Sequence, residues 1–125
     1  MKIMQCAHCG NQVFVLNDGG VPMVCCGEEM QALVAGSTDA AQEKHVPAIR
    51  VEGSTLQVTV GEVAHPMLAE HFIQWIAVEQ GDKVQFARLK PEQAPEATFT
   101  IEPGKAFAVY EYCNLHGLWK AEGQA

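Results

Sequence analysis

Thr55-Leu56-Gln57-Val58-Thr59-Val60 alternates polar and apolar residues with a period of two. That period places Leu56, Val58 and Val60 on one face of a strand and leaves Thr55, Gln57 and Thr59 to water. The same kind of signal continues toward the end of the chain. Residues 71–78 read as a longer, mostly apolar strand, followed by Gln80-Gly81-Asp82-Lys83 as a turn. Residues 84–89, 98–101 and 106–112 read as further strands, with Pro91, Pro95 and Pro103-Gly104 marking the breaks. Short strands at turn-punctuated intervals predict a mainly β chain with a β-sandwich. Helix is scarce: residues 42–44 read as the end of one helical turn, and no long amphipathic period occurs.

Composition narrows the function. The 125 residues are 48% hydrophobic and 18% charged, with a formal net charge of −7. The apolar fraction excludes wholesale disorder. The chain has no apolar run of the roughly 18 residues a membrane span needs, so no membrane association is expected. Acidic overall, with scattered Lys and Arg, it has no basic stripe to displace phosphate counterions, which argues against nucleic acid. The start, Met1-Lys2-Ile3-Met4-Gln5-Cys6, lacks the apolar core of a secretory signal, so a cytoplasmic location is expected.

Five cysteines and five histidines are the unusual feature. Cytosolic thiols are kept reduced, and an odd count leaves one cysteine unpaired in any internal disulfide scheme, so the cluster reads as metal-binding. Cys6, Cys9, Cys25 and Cys26 lie in the first 26 residues, whereas Cys113 stands alone with His45, His65, His71 and His116 beyond residue 40. Residues 35–39 are small and polar, which predicts two domains, 1–36 and 37–125. A piece of that size holds too little core to fold alone, and a structural metal is one staple. Residues 13–16 read as a strand, Asn17-Asp18-Gly19-Gly20 as a hairpin turn and residues 21–24 as its return, carrying Cys25 back beside Cys6 and Cys9.

A C-x2-C loop folds two thiolates onto one cation, and Cys25-Cys26 completes a tetrahedral four-sulfur set. Adjacent cysteines depart from the common zinc ribbon and predict a distorted tetrahedron. Thiolates accept iron and zinc alike, so the ligand type leaves that choice open; a vicinal disulfide is the metal-free alternative. Four imidazoles with Cys113 make five N/S donors, one more than tetrahedral zinc closes on, whereas iron takes five and keeps a sixth position open. Cys113 and His116 are three apart, with a glycine after them, so both can turn onto one ion. Trp75, Trp119, Tyr110 and Tyr112 read as core aromatics.

Three motifs carry a family resemblance. Glu43-Lys44-His45-Val46-Pro47, His65-Pro66-Met67 with His71, and Cys113-Asn114-Leu115-His116-Gly117-Leu118-Trp119 resemble the signature motifs of superoxide reductases. The knuckle ending Cys25-Cys26-Gly27-Glu28-Glu29-Met30 resembles the desulforedoxin-like module of the two-iron members, the desulfoferrodoxins. The resemblance covers essentially the whole chain and implies two mononuclear iron ions and an immunoglobulin-like sandwich. Cys6, Cys9, Cys25 and Cys26 would hold the first iron, with zinc as the other occupant of that site. His45, His65, His71 and His116 would be equatorial ligands of the second iron, the last through Nδ1 and the others through Nε2. Cys113 would be its axial thiolate, and Glu43 its sixth ligand when oxidised.

The implied activity is reduction of superoxide to hydrogen peroxide, with a rubredoxin-like or other small electron donor as partner and a homodimer as the assembly. Superoxide is an anion approaching an acidic protein, so Lys44 is the expected local attractor. Neighbours on a regular strand face opposite ways, so residues 43 and 44 are expected in a mobile loop. Such a loop would bring in Glu43 when the iron is oxidised and Lys44 when it is reduced. Backbone N–H groups of Leu115 and His116 are expected to moderate the Cys113 thiolate. The competing readings are a non-catalytic two-site iron electron carrier and a colourless zinc-ribbon interaction module.

Overall fold

The computed structural model describes residues 1–38 and 40–124, and the chain divides into two units, Met1–Val34 and Ala35–Ala125. Asp39, at the end of the stretch read as a domain boundary, lies outside the described residues.

In the first unit, β1 (Ile3–Gln5) pairs antiparallel with β2 (Gln12–Phe14) on one side. β3 (Val24–Cys25) and β4 (Glu28–Glu29) form a two-stranded ribbon, and β5 (Gln31–Ala32) pairs with the other edge of β1. This corrects the expected hairpin of residues 13–16 with 21–24. Pro22 has no N–H to give such a ladder. Asp18 accepts from the Gly20 N–H at 2.8 Å and from Lys2 Nζ at 2.8 Å, which folds residues 17–20 locally instead. Val15 still donates to the Lys2 carbonyl at 2.9 Å and Met30 to the Met23 carbonyl at 2.8 Å, so it is residues 16–22 that loop between them, leaving Leu16 and Val21 exposed. The Cys26-Gly27 turn of the β3–β4 ribbon has φ of +52° and +77°, as a two-residue primed hairpin turn demands.

The second unit opens with a single helical turn, α1 (Gln42–His45), closed by a Val46 N–H to Gln42 carbonyl bond of 2.8 Å. Its strands are β6 (Pro47–Glu52), β7 (Thr55–Val60), β8 (Ile73–Gln80), β9 (Lys83–Arg88), β10 (Glu96–Thr100), β11 (Ala106–Cys113) and β12 (Gly117–Gln124). They form a three-stranded sheet, β10-β7-β6, and a four-stranded sheet, β12-β11-β8-β9, all antiparallel. Leu56, Val58 and Val60 of the first sheet share one core with Ile76, Val78, Phe107 and Val109 of the second. Seven strands in sheets of three and four over one core make this an immunoglobulin-like sandwich.

Two strands escape a reading from period alone. In β6 only Ile49 and Val51 carry the alternation, and Val51 is itself exposed. In β12 the apolar pair Leu118-Trp119 gives way to Lys120, Glu122 and Gly123, yet the strand pairs with β11 along its whole length. Gly123 leaves room there for side chains of the facing strands: a Cβ would lie 2.7 Å from both Ile49 Cδ1 and Phe107 Cζ, and one of them would have to shift. The two sheets meet across that bare position.

Candidate metal centres

Cys6, Cys9, Cys25 and Cys26 converge so that all their sulfur atoms lie within 4.8 Å of one another. The C-x2-C loop is closed by the Gly10 N–H donating to the Cys6 carbonyl at 3.1 Å. The Cys9 N–H points at Cys6 Sγ at 3.5 Å. These N–H groups, from Cys9 first and then His8, stabilise the thiolate and draw Cys6 down to about 6. Crowding acts the other way on its neighbours: contact with Cys9 and Cys6 raises Cys25 and pushes Cys26 up to about 12. A cation would offset the crowding that keeps Cys25 and Cys26 protonated and would draw on the readily ionised Cys6, so this four-sulfur donor set fits a tetrahedral metal. Residue 26 reaches the cluster through its left-handed backbone, which is how adjacent cysteines serve one site.

The second cluster gathers His45, His65, His71, Cys113 and His116, whose donor atoms also lie within 4.8 Å of one another. His45 ends α1, and His65 follows β7 on a loop whose N–H bonds back to the Val60 carbonyl at 2.9 Å. His71 lies two residues before β8. Cys113 closes β11, and His116 lies in the turn to β12, where Gly117 takes φ +80°. Five positions spread over 72 residues meet at one end of the sandwich.

Ring tautomers explain what that meeting is for. His45 Nδ1 lies 2.6 Å from the Ala41 carbonyl and His65 Nδ1 lies 2.6 Å from the Pro66 carbonyl. A carbonyl only accepts, so both Nδ1 atoms carry the proton and both Nε2 atoms present bare lone pairs. Those lone pairs face one another at 3.2 Å, and His45 Nε2 lies 3.1 Å from His116 Nδ1. His71 Nε2 is buried without any hydrogen-bond partner among the described residues. Protonation does not relieve the arrangement, because burial holds His45 and His71 below the ordinary histidine range and His65 at about 4. Bare nitrogens pointed at a common centre fit a transition metal, and four imidazoles plus a thiolate fit iron.

Cys113 is wholly buried, and burial raises its thiol, while backbone N–H groups of Leu115 and His116 act in the opposite sense. Its sulfur is 3.8 Å from His116 Nδ1. Two of the four imidazoles, those of His45 and His65, are buried, whereas His71 and His116 are half-exposed residues, so the cluster is least covered on their side. Glu43 and Lys44 are both exposed, and Glu43 is outside the converging set. They sit on α1, in keeping with the helical turn read at residues 42–44 and not in the loop expected for residues 43 and 44: consecutive helical positions diverge by about 100°, so the two side chains leave the turn separately. The Lys44 charge nevertheless reaches the site, contributing to the lowered proton affinity of His45 and His71.

Three supports went unread in the sequence. Trp119 stacks on His45 with ring centroids 5.1 Å apart and planes at 26°, and its Nε1 donates to the His116 carbonyl at 3.0 Å. Gly61 lets α1 approach β7, since a Cβ there would meet the Glu43 carbonyl oxygen at 2.7 Å. Asn114 bonds to residues 70 and 72. Asn114 and Trp119 both lie in the motif that begins at Cys113, where Trp119 read only as a core aromatic; Gly61 left no mark.

Known proteins share this arrangement. The desulfoferrodoxin family model matches residues 37–122, and the model of the desulfoferrodoxin N-terminal domain matches residues 1–33. The desulfoferrodoxin of Nitratidesulfovibrio vulgaris is 52% identical over 122 residues, covering 97% of this chain and 95% of that one. A superoxide reductase of Thermococcus kodakarensis is 39% identical over 105 residues, covering 69% of this chain and 90% of its own. Among solved structures, the superoxide reductase from Treponema pallidum superposes with a TM-score of 0.77 at 34% identity, covering 97% of this chain and 99% of that one. With both family models and a full-length relative matching, and with both donor sets assembled, the chain belongs to the desulfoferrodoxin family.

Proposed function

We propose that this chain is a superoxide reductase: O2•⁻ + e⁻ + 2H⁺ → H2O2, with the electron drawn from an external donor. The observation that carries the reading is the convergence of four imidazoles and one cysteine sulfur, with the bare Nε2 atoms of His45 and His65 facing one another at 3.2 Å. Iron held there supplies a one-electron reductant at a position that solvent and a small anion can reach. The neighbouring relatives named as superoxide reductases support the same assignment.

The residues divide the work. His45, His65, His71 and His116 would hold the iron, and Cys113 would supply it electron density, moderated by the Leu115 and His116 N–H groups. Lys44 offers a cation to an anionic substrate near a chain of net charge −7. Glu43 would serve as a further ligand to oxidised iron; as α1 holds it away from the donor set, this role would need a movement of its side chain or of α1. Cys6, Cys9, Cys25 and Cys26 hold the second metal, iron for electron relay or zinc as a staple. The domains run 1–36 and 37–125.

The assembly is a homodimer, and the exposed Leu16, Val21, Val24 and Val34 of the first unit support it as apolar surface available to a second copy. The donor is a rubredoxin-like or other small electron-transfer protein. No helix among the described residues is long and apolar enough to cross a membrane, and the setting is cytoplasmic. Loading the full chain with iron and recording metal content and visible spectrum tests the reading. Two irons per chain with two separable thiolate charge-transfer signatures are expected. A colourless zinc protein would reject it.

A further inference from the structure

Each imidazole of the five-residue cluster needs something behind it to fix its ring. His45 has the Ala41 carbonyl and the face of Trp119, and His65 has the Pro66 carbonyl. The peptide of His116 is held by Trp119 Nε1. For His71 no hydrogen-bond partner of Nε2 is found among the described residues, and the aromatic rings its own ring meets are the edges of His65 and His116, at 4.7 and 5.2 Å. Its position therefore rests on its backbone.

That backbone is gripped from one place. The Phe72 N–H donates to Asn114 Oδ1 at 2.9 Å, and Asn114 Nδ2 donates to the Glu70 carbonyl at 2.9 Å. The Asn114 N–H adds a longer bond to the Phe72 carbonyl at 3.3 Å. The β8–β11 ladder ends irregularly at Cys113 and Ile73. Beyond that point the Asn114 carboxamide, with its donor and acceptor, takes over the role of a strand peptide. Both peptides flanking His71 are thus tied to the residue that follows Cys113. Locally, the exchange of N–H···O bonds between Leu68 and His71, at 2.9 and 3.1 Å, only closes the loop on itself.

We propose that Asn114 is the positioning residue for His71, fixing this imidazole against the Cys113 thiolate on the iron. The inference rests on the superoxide-reductase reading only through the five-ligand centre. Its consequence is specific: of the four imidazoles, His71 is the one whose two flanking peptides are both tied to a distant side chain. Replacing Asn114 should loosen the iron without disturbing the four-cysteine centre, which serves as an internal reference in the same chain.

The test uses the iron-loaded full chain in four forms: parent, Asn114→Leu, His71→Ala and the double variant. The readouts are iron release to a chelator and the Cys113-to-iron charge-transfer band, with Asn114→Asp as an intermediate that keeps the Phe72 bond. Asn114→Leu should release the five-ligand iron roughly 10–100-fold faster than the parent and shift its band. Asn114→Asp should fall between them, and the four-cysteine spectrum should stay unchanged. In the His71→Ala background Asn114→Leu should add little, because the ligand it positions is gone. Unchanged release and band in Asn114→Leu would overturn the proposal, as would the same acceleration with and without His71, or loss of both centres together. A parent chain that takes up no iron in the five-ligand site would instead refute the functional reading.

Discussion

Gly61→Ala is the smallest change that probes how the fold positions a ligand. A Cβ at residue 61 would lie 2.7 Å from the Glu43 carbonyl oxygen, 2.8 Å from the Val46 carbonyl oxygen and 3.0 Å from the Lys44 carbonyl carbon. All three are backbone atoms of α1 and the residue after it, so no side-chain rotation relieves the contact. Ordinary contact begins at 3.4 Å, so α1 must retreat by about 0.7 Å, the gap between 2.7 and 3.4 Å. The same movement strains the 2.9 Å bond from the Val63 N–H to the Glu43 carbonyl. α1 carries His45, whose Nε2 sits 3.2 Å from His65 Nε2 and 3.1 Å from His116 Nδ1. A displacement of that size is comparable to the tolerance of a preorganised site, and about 1 Å can cost roughly 100-fold in rate. We expect the second-order rate constant with superoxide to fall at least tenfold, on the order of half of that penalty on a logarithmic scale. Overpacking should also cost about 1–3 kcal/mol of stability. Pulse radiolysis on the iron-loaded variant gives the rate, and the four-cysteine spectrum reports that the chain is otherwise intact. A parental rate constant and a parental Cys113 charge-transfer band in Gly61→Ala would refute the claim that this bare Cα sets the position of His45.

Three further outcomes are expected. Lys44→Ala should lower the rate constant with superoxide roughly tenfold and flatten its dependence on ionic strength; an unchanged salt profile would refute the steering role. Glu111 is wholly buried, and neither carboxyl oxygen has a partner among the described residues. Glu111→Met should therefore raise the thermal midpoint of the chain, by removing a burial cost of about 1–3 kcal/mol, and a lowered midpoint would contradict this. The Lys2 ammonium beside Asp18 and the Gly20 N–H hold its carboxyl below the usual aspartate range. A depressed folded-state pKa stabilises the turn above the unfolded value and loses that contribution as pH falls through the folded one. Gly20 amide protection in the zinc-loaded chain should vanish in that acidic window, and Lys2→Ala should move the loss to higher pH; protection indifferent to both would sink the assignment.

The sandwich was legible where period-two alternation coincided with burial, as at Leu56, Val58 and Val60. It was illegible where tertiary pairing overrode local pattern: β12 is held by an eight-residue ladder to β11 that Lys120, Glu122 and Gly123 do not announce. The knuckle failed in connectivity and not in outcome. Asp18 and Pro22 turned residues 17–22 away from a hairpin, while β1 recruited β2 and β5, and the four sulfurs still met. Both donor sets were readable because Cys and His are scarce and chemically specific. Their supports were not, because a carbonyl such as that of Ala41 or Pro66, the absent Cβ of Gly61 and the reach of Asn114 exist only once the chain is folded.

The central claim is reduction without disproportionation, and the ratio of products tests it most directly. With the iron-loaded chain pre-reduced and a known dose of superoxide, peroxide and oxygen are measured together. The account predicts one hydrogen peroxide for each superoxide consumed and no oxygen released, up to the number of reduced five-ligand centres. One peroxide for every two superoxides with matching oxygen, or no peroxide above the spontaneous background, would contradict it.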